Sequence, residues 1–142
     1  MARLVPRDFS SRVGLPARQL IRPSLSLAVT FNAALRESDE WFDEPDDLDR
    51  VQRAIDSMVG ETSVLDAVAL LMARLTRAQG FNEGNKRTAL ALGAWMLVQN
   101  GRSPEQFLKS DDDELLVLLL QAARGADISD LLVALLRSRA AL

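Results

Sequence analysis

Cysteine and histidine are both absent from the chain, and aromatic residues make up only 5% of it. Zero cysteines exclude disulfides and thiolate metal sites, and with no histidine either, a structural zinc site has almost no ligands to use. A reducing, cytoplasmic setting is the expectation. With few aromatics among 48% hydrophobic residues, aliphatic side chains, chiefly Leu, Ala and Val, must fill the core, which favours packed helices. Long apolar runs are missing too. The longest charge-free apolar run, residues 88–99, is much shorter than the ~20 residues that span a bilayer. Prolines and arginines interrupt any apolar core near the N-terminus, so neither a membrane span nor a signal peptide is expected.

What is present suits one domain, since a chain of 142 residues is of a size that buries roughly 68–70% of its unfolded surface. The net charge of −3 hides an uneven distribution. Residues 1–23 carry five arginines against Asp8, while residues 37–49 carry eight acids and no base. The chain therefore divides into a basic N-terminal arm, residues 1–23, and a helical domain, residues 24–142. The arm is broken by Pro6, Pro16 and Pro23. It reads as a loosely ordered surface segment in preference to a binding site for nucleic acid or an acidic protein, and nucleic acid is not expected as a partner. The acidic stretch, with Trp41 and Phe42 inside it, reads equally well as a partner-binding loop or as a solvated loop pinned by two aromatics.

Helical periodicity dominates after Pro23. Leu27, Phe31, Ala34 and Leu35 share one face, and so do Leu48, Val51, Ile55 and Met58 in a segment that starts after Pro45 and stops near Gly60. Residues 64–78 repeat the pattern through Val64, Val68, Leu71, Met72 and Leu75, with Thr62 or Ser63 as the cap. A fourth helix, residues 86–99, ends at Asn100-Gly101. Pro104 to Leu108 suits one short turn; Ser110 then caps a helix from Asp111 to Arg124, and Asp127 or Ser129 opens the last helix. The reading is all-α, a compact bundle of about six helices around a buried central helix, residues 86–99.

The stretch Gly80-Phe81-Asn82-Glu83-Gly84-Asn85-Lys86-Arg87-Thr88-Ala89 runs a polar, cationic loop directly into the most apolar helix. Lys86 and Arg87 sit at the positive end of that helix, where cations are disfavoured by ~0.3–1 kcal/mol. Two adjacent cations there suggest an anion, phosphate above all, held by free backbone N–H groups and by both side chains. A surface cationic pair is the alternative. Glu83 fits a magnesium ligand against that phosphate, because the ion takes one or two carboxylates and bridges substrate oxygens; a solvent-exposed acid is its plain alternative. Gly84 permits a turn that exposes N–H groups as an anion nest. Asn85 would cap the helix, and Phe81 would anchor the loop in the core.

From Phe81 to Ala89 the sequence resembles the signature of the Fic/Doc family, and specifically its Doc-like branch, the death-on-curing toxins of bacteria and phage. The family pattern has histidine two residues before the phenylalanine, an acidic residue two after it, then a small residue and asparagine. Here the acidic, small and asparagine positions are Glu83, Gly84 and Asn85. The Asn85-Lys86-Arg87-Thr88-Ala89 run looks like the Doc branch, and Leu90 stands where long Fic adenylyltransferases carry a second arginine. The resemblance implies a bundle whose active-site core is two antiparallel helices joined by the motif loop, and it spans residues 24–140. It also implies ATP or another nucleoside triphosphate as co-substrate with Mg2+, and Gly84, Asn85, Lys86 and Arg87 as phosphate contacts. The acceptor would be a protein hydroxyl, with elongation factor Tu as the branch's known target. Long Fic proteins attack the α-phosphate; Doc-like ones transfer the γ-phosphoryl group.

The chain departs from the pattern at Gln79, where the catalytic histidine would stand. Glutamine cannot accept the hydroxyl proton, and a positioned general base contributes ~10²–10⁴-fold, so transfer should be weak or absent. A laboratory substitution that disarms a toxin, a natural pseudoenzyme that binds nucleotide or an antitoxin, and an enzyme of different chemistry all remain open. Some Fic proteins carry an inhibitory helix of Ser or Thr, then Glu four residues on, then Gly or Asn. Ser57 and Glu61 have that spacing, but Thr62 follows. By resemblance, inhibition would come from a separate antitoxin of the Phd type.

Overall fold

The computed structural model describes residues 20–36, 45–61, 63–109 and 112–140, and among them there are seven helices and no strand. Most of the basic arm, the acidic residues 37–44, Thr62, Ser110 and Asp111 lie outside the described residues.

Four of the helices begin where a short polar side chain takes a first-turn N–H. Ser24 accepts from Leu27 N at the start of α1 (Leu25–Leu35), Asp47 from Arg50 N at α2 (Leu48–Asp56), and Ser63 from Asp66 N at α3 (Val64–Ala78). The helix α4 (Asn85–Gln99) has no side-chain cap. Pro104 opens the single turn α5 (Pro104–Phe107). The next helix, α6 (Asp113–Ala123), is capped by Asp112, which accepts from Leu115 N, two residues later than Ser110 was expected to act. Before α7 (Ser129–Ala140), Asp127 Oδ1 accepts from Ser129 N at 3.1 Å.

The antiparallel pair α3 and α4 makes the most extensive helix contact, with α1 and α5 against α4, α2 and α7 against α3, and α6 touching both. The centre is thus a pair. Along α3, Leu65, Val68, Leu71, Met72 and Leu75 are buried, whereas α4 buries Ala89, Leu92, Met96 and Leu97 and leaves Val98 54% exposed. Two expected core faces shift. In α1 the buried residues are Ala28 and Asn32, Leu27 and Phe31 are half-buried, and Ala34 is exposed; in α2, Leu48 is exposed. The reason in α1 is the hydrogen bonding of Asn32, described below, which rotates a polar residue inward.

The end of α4 is closed by Gly101 N to Val98 O at 3.1 Å and Arg102 N to Leu97 O at 2.8 Å, the paired bonds of a Schellman motif. Asn100 also grips Ile21, accepting from its N–H at 2.9 Å and donating to its carbonyl at 2.8 Å. The last residues before α1 are therefore fastened to the bundle.

Candidate functional site

The loop between α3 and α4 is tied down from three sides. Gln79 ends α3 in the left-handed region, at φ 50° and ψ 44°, a conformation that costs a side-chain-bearing residue about 1–2 kcal/mol. Gly80 lies directly against α2: its carbonyl accepts from Asp47 N at 2.6 Å, and a Cβ there would meet Val51 Cγ2 at 2.6 Å and Asp47 O at 2.9 Å. Asp46 accepts from Asn82 N at 2.8 Å. From the opposite side Asn32, 1% exposed, donates to Glu83 O at 2.7 Å and to Thr88 Oγ1 at 3.2 Å. Phe81 sits in the core, and Asn85 holds both ends of its peptide, accepting from Phe81 N at 3.1 Å and donating to Phe81 O at 2.7 Å.

Asn85 therefore does not cap α4. The N-cap position belongs to Gly84, whose φ of 78° favours glycine. The backbone N–H groups of Asn85 and Lys86 have no acceptor among the described residues. They belong to an open cleft of about 380 Å³ lined by Gln79, Asn82, Glu83, Gly84, Asn85, Lys86, Arg87 and, from the end of α6, Ala123. An uncapped helix start beside a cavity is what an anion needs. Gln79, Glu83, Gly84, Asn85, Lys86 and Arg87, the site residues expected from the sequence, thus line one cavity.

The two cations differ in state. Lys86 is exposed and has no ion pair among the described residues. Arg87 is engaged: Nε donates to Leu35 O at 3.0 Å and Nη2 to Glu83 Oε1 at 2.8 Å. Arg87 is thus answered by Glu83 within the fold, whereas Lys86 leaves its ammonium without a carboxylate among the described residues. No cluster of three or more His, Cys, Asp or Glu that would hold a resident metal exists among the described residues. One carboxylate does fit a magnesium ion that arrives with phosphate and keeps its waters. Gln79 folds back: Nε2 donates to Thr76 O at 2.6 Å, and Oε1 accepts from Asn85 Nδ2 at 3.4 Å.

Asn32, Arg36 and Asp46 escaped the sequence reading. Asn32 Oδ1 accepts from Arg36 Nε at 2.5 Å, and Arg36 is in turn paired with Asp46, so a polar chain runs from α1 to the residue that holds Asn82. The one available signal was an asparagine one position from Phe31 in an uncharged helix.

Among the described residues, no helix is long and apolar enough to cross a membrane. Neither a curated protein nor a solved structure was found to match this chain. The sequence model of the Fic/DOC family does match it, over residues 18–97, a shorter span than the motif suggested, since α5, α6 and α7 fall outside it. That span covers more than half of the 142 residues and contains α1, α2, α3, the whole motif loop and α4 as far as Leu97, and the chain therefore belongs to the Fic/DOC family.

Proposed function

We propose that the protein is a Doc-like toxin scaffold of a toxin–antitoxin system, in which the cleft before α4 takes the phosphates of ATP or another nucleoside triphosphate. The observation that carries this reading is the uncapped start of α4, open to a cavity next to the exposed Lys86. Family membership supports a nucleotide as co-substrate and a protein as acceptor. The Asn85-Lys86-Arg87-Thr88-Ala89 run and Leu90 favour the Doc-like branch, and with it γ-phosphoryl transfer in the cytoplasm to a target such as elongation factor Tu.

Backbone N–H groups of Asn85 and Lys86 would bind one phosphate, with the Lys86 ammonium over it. Gly84 keeps the backbone close, because a side chain there would stand 3.2 Å from Asn32 Nδ2. Magnesium, held by Glu83, would supply charge neutralisation between phosphate oxygens. In the transfer, the acceptor's hydroxyl oxygen bonds to phosphorus as the bond to the leaving oxygen breaks. ADP leaves from attack at the γ position and pyrophosphate from attack at the α position. The hydroxyl proton must go to a base, and Gln79 provides none. Positioning and charge stabilisation remain, which in phosphoryl transfer carry much of the catalysis.

The bonds of Gln79 to Thr76 O and Asn85 favour a second reading, a pseudoenzyme that binds nucleotide or an antitoxin without transfer. Incubating Gln79→His with magnesium, lysate and ATP labelled at the α or γ position separates the two. Label on a protein supports the scaffold reading. Magnesium-dependent nucleotide uptake by calorimetry without any label supports the pseudoenzyme, and no uptake at all refutes the scaffold and the nucleotide-binding pseudoenzyme alike. Inhibition by a Phd-type antitoxin in trans would appear as co-purification with the product of an adjacent reading frame.

A further inference from the structure

Between α2 and α3 lies a groove of about 540 Å³ walled by Arg50, Arg53, Arg74 and Arg77 and floored by Ala54, Ser57 and Ala78. Within an acidic chain of net charge −3, four guanidinium groups on one groove require an account. Internal ion pairing supplies one only for Arg50, whose Nε lies 3.3 Å from Asp47 Oδ2. Arg74 donates one N–H to Ser57 O at 2.8 Å and Arg77 one to Gly125 O at 2.9 Å, which fixes their direction and leaves the rest of each fork open. Among the described residues neither has a carboxylate within ion-pair distance, nor does the exposed Arg53. Asp127 feels both Arg77 and Arg74, but its carboxylate is bonded to Ser129.

The groove is joined to the motif loop. Arg50 also lines a second depression, of about 640 Å³, with Asp46, Asp47, Asp49 and the loop residues Gln79, Gly80 and Asn82. Gln79 and Asn82 in turn line the cleft before α4. The surface therefore runs from four arginines, past three aspartates, to the place where a phosphate would be transferred. We infer that the arginine groove docks an acidic segment of the acceptor protein and so delivers a nearby hydroxyl to the cleft, an inference that rests on the transfer reading above. Guanidinium forks match carboxylates in a bidentate manner. A nucleic-acid strand along the same path would drive its phosphates across Asp46, Asp47 and Asp49. A polypeptide can change sign along its length, acidic at the arginines, basic at the aspartates, and hydroxyl-bearing beyond them.

Fluorescence anisotropy tests this on the full chain at low salt, with a labelled peptide that carries a run of glutamates followed by lysines and a serine. The peptide should bind, and its counterpart with glutamine in place of glutamate should not. Arg53→Glu and Arg74→Gln should each weaken the peptide about tenfold or more while retaining the helical circular dichroism and the calorimetric uptake of magnesium-ATP. Failure of the peptide to bind, or equal binding by both variants, overturns the inference. So does tighter binding of a single-stranded oligonucleotide that the same variants abolish. Magnesium-ATP uptake reports on the cleft and peptide affinity on the groove, so the two readings fail separately.

Discussion

Replacing Asn32 by alanine should loosen the motif loop although residue 32 is 51 positions away from Glu83 in the chain. The side chain is 1% exposed, donates to Glu83 O at 2.7 Å and accepts from Arg36 Nε at 2.5 Å. A neutral buried hydrogen bond contributes ~1 kcal/mol and one to a charged group ~1.5–3 kcal/mol, while an orphaned buried partner adds its own desolvation cost. Because the bonds share one side chain and are not additive, the expected loss is about 2–4 kcal/mol. At about 4 °C per kcal/mol for a chain of this size, the melting temperature should fall by about 8–16 °C, read by circular dichroism at the helical minimum. Asn32→Asp keeps the acceptor for Arg36 but sets a carboxylate against the Glu83 carbonyl, so it should fall between alanine and the parent. A change below about 2 °C for Asn32→Ala would show that the clamp on the loop carries no stability and would refute the reasoning.

Gly80→Ala and Gly93→Ala form a contrasting pair. At Gly80 the added Cβ meets the Asp47 backbone at 2.9 Å, which cannot yield, so a loss of about 1–3 kcal/mol and weaker nucleotide uptake are expected in the same melts and calorimetry. At Gly93 it meets Met72 Sδ at 2.6 Å, a flexible side chain, and the helix gains ~1 kcal/mol of propensity, so the melting temperature should move much less. Asn85→Asp should destabilise the loop, because Phe81 O loses its donor and faces a carboxylate; slower hydrogen exchange at Phe81 than in the parent would contradict this. For pH, the Ser129 hydroxyl and then the Ser129 N–H hold the Asp127 carboxyl below its ordinary 3.8, so its contribution is fully present above that value and is lost as pH falls through the lower, folded value. Asp127→Asn should flatten the acid limb of a plot of melting temperature against pH, and an unchanged limb would discount the Asp127–Ser129 contact.

Much of the architecture could be read from the chain because local signals agreed with the packing. Ser63 caps α3 and Asn100-Gly101 stops α4 where apolar periodicity begins and ends. The motif loop was legible for the same reason: a glycine, an asparagine and two cations stand at the only long helix start without a side-chain cap among α1, α2, α3, α4 and α6. What escaped was everything set by contacts distant in sequence. The pairing of Arg87 with Glu83 follows the four-residue spacing on a helix, yet the role of Arg87 is also decided by Leu35 O, 52 residues earlier. Asn32 sits inward against its polarity because α4 and the loop supply partners that no local pattern reveals. The arginines of α2 and α3 drew no reading from the sequence, since only the packing of the two helices makes them one groove.

The left-handed backbone at residue 79 has an evolutionary consequence. Histidine enters that conformation more readily than most side chains, and the anchors on either side, Gly80 against α2 and Phe81 in the core, do not involve the side chain at 79. Glutamine and histidine codons differ only at their third base. On the proposed transfer reading, a single point mutation would supply or remove the proton acceptor without asking the chain to fold anew, so active and inactive alleles would lie one replication error apart.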